Sequence, residues 1–337
     1  MLSFDFYESG RGETTVVTFP DKSIGIIDAF PSLANTRPDI ASLIHGKKIR
    51  FICLTHPHDD HYLDLPIVFD QNPPDEFWHT IPDSRAFFYS IGQYKAFESS
   101  TDSIMAKFLT KKAKPLIDIF ATCSKNHIEQ VKLTDRTSPI KICDTTITFL
   151  APINNTVSKY QYELTNYAQN IKKEIPDANI ISAAIAFEYA GITFIHGGDV
   201  LAKQWHDIVS RIHGRDLPSA SIFKIPHHGA KNAIDLSNPS EGYPHLFADD
   251  VTTITFGNST HPDIDVFRLI NTKAKDMYFL INRFSSSNPL NIPDAFLRSE
   301  PSICNNIVCI EINDDSTLSF KLGKGCRSCQ QFPDCLK

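Results

Sequence analysis

The hydrophobic residues of the chain are grouped in short runs, most of which have the length and composition of β-strands. Residues 49–54 read Ile-Arg-Phe-Ile-Cys-Leu, and such β-branched and aromatic side chains favour a buried strand. Residues 2–27 predict strands on either side of the turn Pro20-Asp21-Lys22, and residues 140–150 predict a hairpin. Further strands are predicted within residues 178–199, 221–225, 252–256 and 307–322.

Helices are predicted between several of these strands. Residues 201–213 carry apolar side chains at helical spacing, so that one face of a helix can pack on a sheet. A short helix is predicted over residues 37–46, and another begins within residues 63–69. Residues 70–139 contain aromatic residues, a basic cluster and few glycines, and they predict a largely helical insertion. This insertion would serve either as structural cover or as a lid that shapes a substrate site.

One polar run, Thr55-His56-Pro57-His58-Asp59-Asp60-His61, directly follows the strand predicted at residues 49–54. His56 and His58 are two residues apart, so they point the same way in an extended backbone. Asp60 and His61 follow the turn and can face a second point nearby. Imidazole nitrogen and carboxylate oxygen are ligands for zinc and similar divalent ions. The spacing therefore predicts two metal ions side by side, with a histidine-rich surface loop as the alternative.

Other predicted strands also end in polar side chains. One ends in Gly197-Gly198-Asp199, and glycines there let the backbone approach a site and aim one carboxylate at it. Asp199 is therefore predicted to bridge both metals. Another strand ends in Pro226-His227-His228-Gly229, which repeats the arrangement of the first motif. Asp28 ends an earlier strand and is a candidate hydrogen-bond partner of a ligand histidine, with a simple turn residue as the alternative.

These elements resemble those of the metallo-β-lactamase-fold hydrolases, whose His-x-His-x-Asp-His signature is matched by His56, His58, Asp60 and His61. The later elements resemble the competence-nuclease-like (ComEC-type) branch. They comprise Asn179-x-x-Ser182 before Gly-Asp, Pro-His-His-Gly with Ala230 in place of serine, and His261-Pro262. The resemblance covers residues 4–270. It implies an α+β fold, a four-layer αββα sandwich over residues 1–325 with a helical insertion at residues 70–139, followed by a cysteine-containing tail over residues 326–337.

The resemblance also implies roles for the candidate site residues. The metal ligands would be His56, His58, Asp60, His61, Asp199 and His227, which would hold two divalent ions, zinc first and manganese as the alternative. His228 is the alternative to His227, as a ligand or a phosphate contact. Asp60 or Asp199 would orient a water whose pKa the ions lower, and His228 or His261 would assist the leaving group. Other branches have a third histidine before this aspartate, and here Asn179 or solvent would take its place.

The activity that the resemblance implies is hydrolysis of a phosphodiester by a phosphodiesterase or nuclease. The substrate would be a nucleic acid or a smaller nucleotide-like diester. A lactone, thioester or peptide is the alternative substrate within hydrolases. From another class, the alternative is a metal-stabilised binding or regulatory subunit of a defence or signalling assembly, which would have a protein partner.

Composition and charge limit the substrates, the location and the cysteine chemistry that we expect. The net charge of -6 over 337 residues provides no global basic field for nucleic acid or anionic membranes, which favours a small or single-stranded substrate. No apolar run approaches the roughly 18 residues of a spanning helix, and residues 1–13 lack a signal-peptide pattern. We therefore expect no membrane association and a cytoplasmic location. The 8 cysteines predict buried thiols more than disulfides, although Cys326, Cys329 and Cys335 are candidates for a structural zinc.

Overall fold

A computed structural model describes residues 1–8, 12–31, 40–82, 87, 103–169, 174–212, 219–257, 261–280, 302–304 and 307–322. Within these ranges the strands form two mixed sheets. The strands of the first sheet are β1 (Leu2–Glu8), β2 (Glu13–Thr18), β3 (Ile24–Ile27), β4 (Ile49–Leu54), β5 (Glu76–His79), β6 (Glu129–Lys132), β15 (Ile307–Ile312) and β16 (Leu318–Leu322). Their spatial order is β16-β15-β1-β2-β3-β4-β5-β6, and β3 to β6 run parallel to one another.

The second sheet has the same mixed character. Its strands are β7 (Ile140–Ile142), β8 (Thr145–Ala151), β9 (Ala184–Tyr189), β10 (Ile192–His196), β11 (Ala220–Lys224), β12 (Phe247–Phe256), β13 (Asp276–Leu280) and β14 (Ser302–Cys304). Their spatial order is β14-β13-β12-β11-β10-β9-β8-β7, and β10 to β14 are parallel. Each sheet therefore has a parallel half, and parallel strands send their connecting loops to a common edge.

Helices cover the outer face of each sheet. They are α1 (Ile40–Ile44), α2 (Asp59–Tyr62), α3 (Leu65–Gln71), α4 (Ser103–Asn126), α5 (Asn154–Ala168), α6 (Ala202–Ile212) and α7 (Ile264–Lys273). None of the described helices is long and apolar enough to cross a membrane.

Three apolar clusters lie between successive layers. The central cluster joins the two sheets, with Phe4 and Phe51 on one side and Phe187 and Phe194 on the other. A second cluster joins the first sheet to α1, α3, α4 and α5, and a third joins the other sheet to α6 and α7. Three clusters separate four layers, so the predicted αββα sandwich of the α+β class is confirmed.

Phe194 carries much of the contact between the sheets. Its ring is fully buried, and its centroid lies 4.3 Å from that of Phe4 and 5.7 Å from that of Phe6 in the opposite sheet. We expect Phe194→Ala to lower the free energy of unfolding by about 3–5 kcal/mol, because a large ring leaves a cavity that the two sheets cannot close. Urea denaturation followed by tryptophan fluorescence measures the change. A loss below about 1 kcal/mol would show that the sheets repack around the cavity.

The segment at residues 70–139 differs from its prediction. It contains β5 and β6, two strands of the first sheet, as well as α4. Both strands have only four residues, and most side chains of β6 are exposed. Neither strand therefore produces a strong pattern in the sequence. Strands β13 and β14 and helix α7 were also not predicted. The cysteine-containing tail at residues 326–337 lies outside the described residues.

Candidate active site

The predicted ligands, together with Asp28 and His261, follow the ends of strands. Asp28 follows β3, the run from His56 to His61 follows β4, and Asp199 comes shortly after β10. His227 and His228 follow β11, and His261 lies beyond β12. The two edges meet directly, because the backbone N–H of Ala183 in the second sheet region donates to the carbonyl of Thr55 at 3.0 Å. The fold therefore brings residues that are far apart in sequence to one place.

His56 and His58 converge on a single point. The Nε2 atom of His56 lies 2.9 Å from the Nδ1 atom of His58. The other ring nitrogen of the fully buried His56 lies 3.2 Å from the hydroxyl of Thr55 and 3.5 Å from that of Ser182. These contacts fix the orientation of the imidazole, so one nitrogen from each histidine faces the same small volume. Such an arrangement fits two ligands of one metal ion.

His61 is held by a buried carboxylate. Its Nδ1 atom lies 2.7 Å from Oδ2 of Asp28. The backbone N–H of Thr55 donates to Oδ1 of Asp28 at 2.8 Å, and its hydroxyl donates to Oδ2 at 2.7 Å. The contact predicted between Asp28 and a candidate ligand histidine is therefore present. A carboxylate at Nδ1 keeps the proton there and leaves the lone pair of Nε2 for a metal.

Asp199 lies at the centre of the imidazoles. Its Oδ2 atom is 3.5 Å from Nε2 of His61, 3.8 Å from Nε2 of His56 and 3.8 Å from Nε2 of His227. Its backbone N–H donates to the hydroxyl of Ser182 at 2.8 Å, which fixes the start of the loop. One carboxylate that faces histidines from both motifs has the position required of a bridging ligand.

Among the described residues, four groups of side chains have ligand atoms close enough to hold a metal ion, and the two groups without Glu13 overlap. One consists of His56, His61 and Asp199, and the other of Asp60, His61 and His228, and within each group the atoms lie within 4.8 Å of one another. His61 belongs to both groups. The two groups therefore share one donor of a ligand atom.

The Pro-His-His-Gly loop places its two histidines differently. His227, His228 and Gly229 all have positive φ values, of 48°, 54° and 76°. A Cβ atom at Gly229 would lie 2.6 Å from Cβ of Pro262, so the loop is closely packed on the segment that carries His261. His228 is buried beside Asp60 and His61, whereas His227 is partly exposed and belongs to no candidate metal group among the described residues. His228 therefore joins the candidate groups, whereas His227 faces Asp199 from the rim, with its Nε2 atom 3.8 Å from Oδ2 of that carboxylate.

The donor set fits divalent ions. Within the described part of the chain, several buried atoms at the site have no hydrogen-bond partner, namely Nε2 of His61, Oδ1 of Asp199, Nδ1 of His227 and both ring nitrogens of His228. Buried polar atoms are otherwise almost always paired, because leaving one unpaired is costly. Nitrogen and carboxylate atoms that face each other without partners are the atoms that a metal ion would satisfy.

The protonation of the site also fits metal binding. Burial lowers the pKa of His56 and of His58, and it lowers the pKa of His228 to about 4, so these imidazoles are neutral at neutral pH. Burial would also lower the pKa of His61, but the carboxylates of Asp28, Asp199 and Asp60 outweigh it and raise that pKa. Neutral imidazoles can bind a metal ion without first losing a proton. The carboxylates favour positive charge at the site, which without metal is the proton on His61.

The remaining predicted residues lie around this centre. The ring centroid of His261 is 6.0 Å from that of His227, and its imidazole is partly exposed. Asn179 is buried, and its Oδ1 atom has no hydrogen-bond partner among the described residues. His196 is buried beneath the site, 3.5 Å from the hydroxyl of Thr15, and it belongs to no candidate metal group in the described part of the chain.

Two further residues reach the site without having been singled out. Glu13 lies in a candidate group with Asp199 and His228, and Lys224 binds it from the opposite sheet. Burial raises the pKa of Glu13 to about 7, although Lys224 opposes the shift. The sequence contains only weak signals for these two roles. Glu13 follows a glycine in a predicted turn, and Lys224 is a single charged residue in an otherwise apolar strand.

The different placement of the two histidines leads to a prediction. We expect His228→Ala to weaken Zn²⁺ binding by more than about 100-fold, because a direct ligand should matter more than the 10–100-fold measured for outer-shell partners. His227→Ala is the matched control, and its affinity should stay close to that of the wild type. Competition with a chromophoric chelator measures both. The reverse order of effects would restore His227 as the ligand.

The four-layer fold carries a cluster of candidate metal ligands where the edges of its two sheets meet. The family model of the metallo-beta-lactamase superfamily matches residues 10–118, a range that contains the whole run from His56 to His61. This match covers less than half of the chain, and together with the four-layer architecture it shows the metallo-beta-lactamase fold.

The following solved structures are similar to this chain at low sequence identity and with TM-scores below 0.5. A diphosphatase from the PhnP family has 10% identity and a TM-score of 0.44, covering 93% of this chain and 98% of its own. A possible metal-dependent hydrolase from Veillonella parvula has 11% identity and a TM-score of 0.37, covering 83% and 84%. A mutant of CmlA beta-hydroxylase has 9% identity and a TM-score of 0.42, covering 78% and 47%. No curated protein matches the sequence.

Proposed function

We propose that the chain is a phosphodiesterase that uses two divalent metal ions. The observation that carries this proposal is the pair of overlapping ligand groups that share His61 at the joined edge of the two sheets. His56 and Asp199 would hold one ion, joined by His58, whose Nδ1 atom lies 2.9 Å from Nε2 of His56 but which belongs to no candidate group in the described ranges. Asp60, His61 and His228 would hold the other ion, with Asp199 between the two. Zinc suits the imidazole-rich set, and manganese suits its carboxylate component.

The residues of the chain prepare this site for hydrolysis. When bound, the two ions would activate water and stabilise negative charge on a phosphoryl oxygen. Asp28 holds the proton of His61 on Nδ1, so that Nε2 faces the centre. Asp60 is partly exposed, and its carboxylate lies 3.9 Å from Nε2 of His61, where it can accept a proton from incoming water.

Two imidazoles are left to act on the substrate. His227 and His261 lie side by side at the exposed rim, and neither belongs to a candidate metal group in the described ranges. An imidazole at this position can contact a phosphoryl oxygen or give its proton to the leaving oxygen. The resemblance of the Pro-His-His-Gly and His-Pro elements to the competence-nuclease-like branch supports a phosphodiester as the substrate.

The role of His261 leads to a prediction with an internal control. Proton donation matters most for a poor leaving group, so His261→Ala should lower turnover of an alkyl phosphodiester by about 10²–10⁴-fold. Turnover of a 4-nitrophenyl phosphodiester should fall far less, because nitrophenolate leaves without a proton. Parallel assays of both substrates measure the difference. Equal losses would assign His261 to binding instead of proton transfer.

The substrate class is tested with a panel. The protein, supplied with Zn²⁺ or Mn²⁺, is given a chromogenic phosphodiester, a phosphomonoester, a lactone, a thioester and a peptide at equal concentration. The proposal expects the phosphodiester to have the highest kcat/KM. A lactone, thioester or peptide that is turned over faster would contradict it. Single-stranded and duplex oligonucleotides and cyclic nucleotides then divide nuclease activity from hydrolysis of small diesters.

A further inference from the structure

A buried ion pair joins the two sheets directly beneath the candidate metal centre. Lys224 lies in β11 of the second sheet and Glu13 begins β2 of the first, and their side chains are 0% and 1% exposed. The Nζ atom of Lys224 is 2.7 Å from Oε1 and 2.6 Å from Oε2 of Glu13. Both carboxylate oxygens therefore share one ammonium group inside the sandwich.

The ammonium group also holds the loop that carries Asp199. Nζ of Lys224 donates to the carbonyl oxygen of Gly198 at 3.1 Å, and the backbone N–H of His227 donates to the same oxygen at 2.9 Å. Gly198 has a φ of 50°, and a Cβ atom there would lie 2.1 Å from the carbonyl oxygen of Ala183. These contacts fix the peptide that precedes Asp199. Among them, the hydrogen bond from Lys224 is the one made by a charged side chain.

Stability alone gives a poor account of this pair. Removing two charges from water is costly, and well-packed apolar residues often replace a buried ion pair without loss of stability. The balance of charge beside the candidate metal centre explains the Lys224–Glu13 pair better. Glu13 lies within 4.8 Å of ligand atoms of Asp199 and His228, so Lys224 compensates a carboxylate that would otherwise compete with Asp199 for the metal ions.

We propose that Lys224 is a positioning residue for Asp199, acting through the carbonyl of Gly198, and that Glu13 holds its ammonium group in place. This inference rests on the proposed metal centre. It predicts that loss of the lysine reorients Asp199 and weakens metal binding, although Lys224 is not itself a metal ligand.

The test measures metal binding instead of turnover. Apo-protein is titrated with Zn²⁺ against a chromophoric chelator, and the visible spectrum of the Co²⁺-loaded protein reports the coordination geometry. The variants are Lys224→Met, Glu13→Gln and the double substitution. Lys132→Met is the control, because the exposed Lys132 also donates from Nζ to a backbone carbonyl, that of Pro82, which lies outside the candidate groups.

We expect Lys224→Met to weaken Zn²⁺ binding by about 10–100-fold, as for other groups that orient a ligand, and to change the Co²⁺ spectrum. The double variant should bind no more weakly than Lys224→Met, because Glu13 acts through the lysine. Lys132→Met should match the wild type. A folded Lys224→Met with wild-type affinity and spectrum would overturn the inference.

Folding is checked by circular dichroism and thermal unfolding of each apo-protein. If Lys224→Met does not fold, Glu13→Gln becomes the variant that tests the inference. Glutamine keeps the shape of the side chain but removes the charge that holds the ammonium group. Unchanged affinity and spectrum in Glu13→Gln would then overturn the inference. Wild-type protein that binds no metal would instead overturn the proposed function itself, so the two failures are distinct.

Discussion

Replacing Asp199 with asparagine is expected to abolish metal-dependent hydrolysis. The carboxylate lies between three imidazoles, and its Oδ1 atom is buried without a hydrogen-bond partner in the described part of the chain. Asparagine has nearly the same shape, but its neutral amide cannot supply the charge that two cations require. We expect metal affinity and kcat/KM each to fall by more than about 100-fold, beyond the range observed for outer-shell residues.

The control for Asp199→Asn is Asp135→Asn. Asp135 is also mostly buried and accepts hydrogen bonds, from the backbone N–H of Asn154 and from Arg211, but it belongs to no candidate metal group among the described residues. Its substitution should leave metal content and turnover unchanged. Elemental analysis of purified protein and steady-state kinetics measure both quantities. Full activity in Asp199→Asn would refute the role of a bridging carboxylate.

Asp28→Asn is expected to have the second largest effect. The φ of Asp28 is 54°, and asparagine tolerates this left-handed conformation, so the backbone should be preserved. The new NH2 group must face hydrogen-bond donors: the backbone N–H of Thr55 if it takes the place of Oδ1, or the hydroxyl of Thr55 and Nδ1 of His61 if it takes the place of Oδ2. If it donates to Nδ1, the proton of His61 moves to Nε2 and blocks the atom that would bind metal.

We therefore expect Asp28→Asn to weaken Zn²⁺ binding by about 10–100-fold and to lower apo-protein stability by about 1–3 kcal/mol. Asp21→Asn is a matched control, because Asp21 also accepts from a backbone N–H, a hydroxyl and a cationic side chain, but lies at the surface. Chelator competition and urea denaturation measure the two quantities. Loss of stability with unchanged metal affinity would limit Asp28 to a structural role.

Much of the scaffold could be predicted from local sequence because its strands have strong patterns. Strand β4 spans Ile49–Leu54 as predicted, and the strands that lead to Asp199 and His227 were also expected, with bounds close to those observed. These strands are buried on both faces and therefore read as continuous apolar runs. The short strands β5 and β6 lack this signal, because their place in the sheet depends on pairing with distant residues.

The candidate site could be predicted as a set of residues but not in its detail. Consecutive histidines at positions 227 and 228 are equivalent in sequence, and only their left-handed backbone turns His228 inward. The pairing of Glu13 with Lys224 joins residues 211 positions apart, and no local pattern encodes it. Likewise, the contact of Asp28 with His61 depends on β3 and β4 being neighbours in the sheet.

The central claim is that two bound metal ions make this site a phosphodiesterase. The most direct measurement strips the protein of metal with a chelator and then titrates it with Zn²⁺ or Mn²⁺ while hydrolysis of a chromogenic phosphodiester is recorded. We expect no turnover in the apo-protein, and we expect activity to saturate at two equivalents of metal per chain. Protein that binds two equivalents and hydrolyses no phosphodiester, or apo-protein that remains fully active, would contradict it.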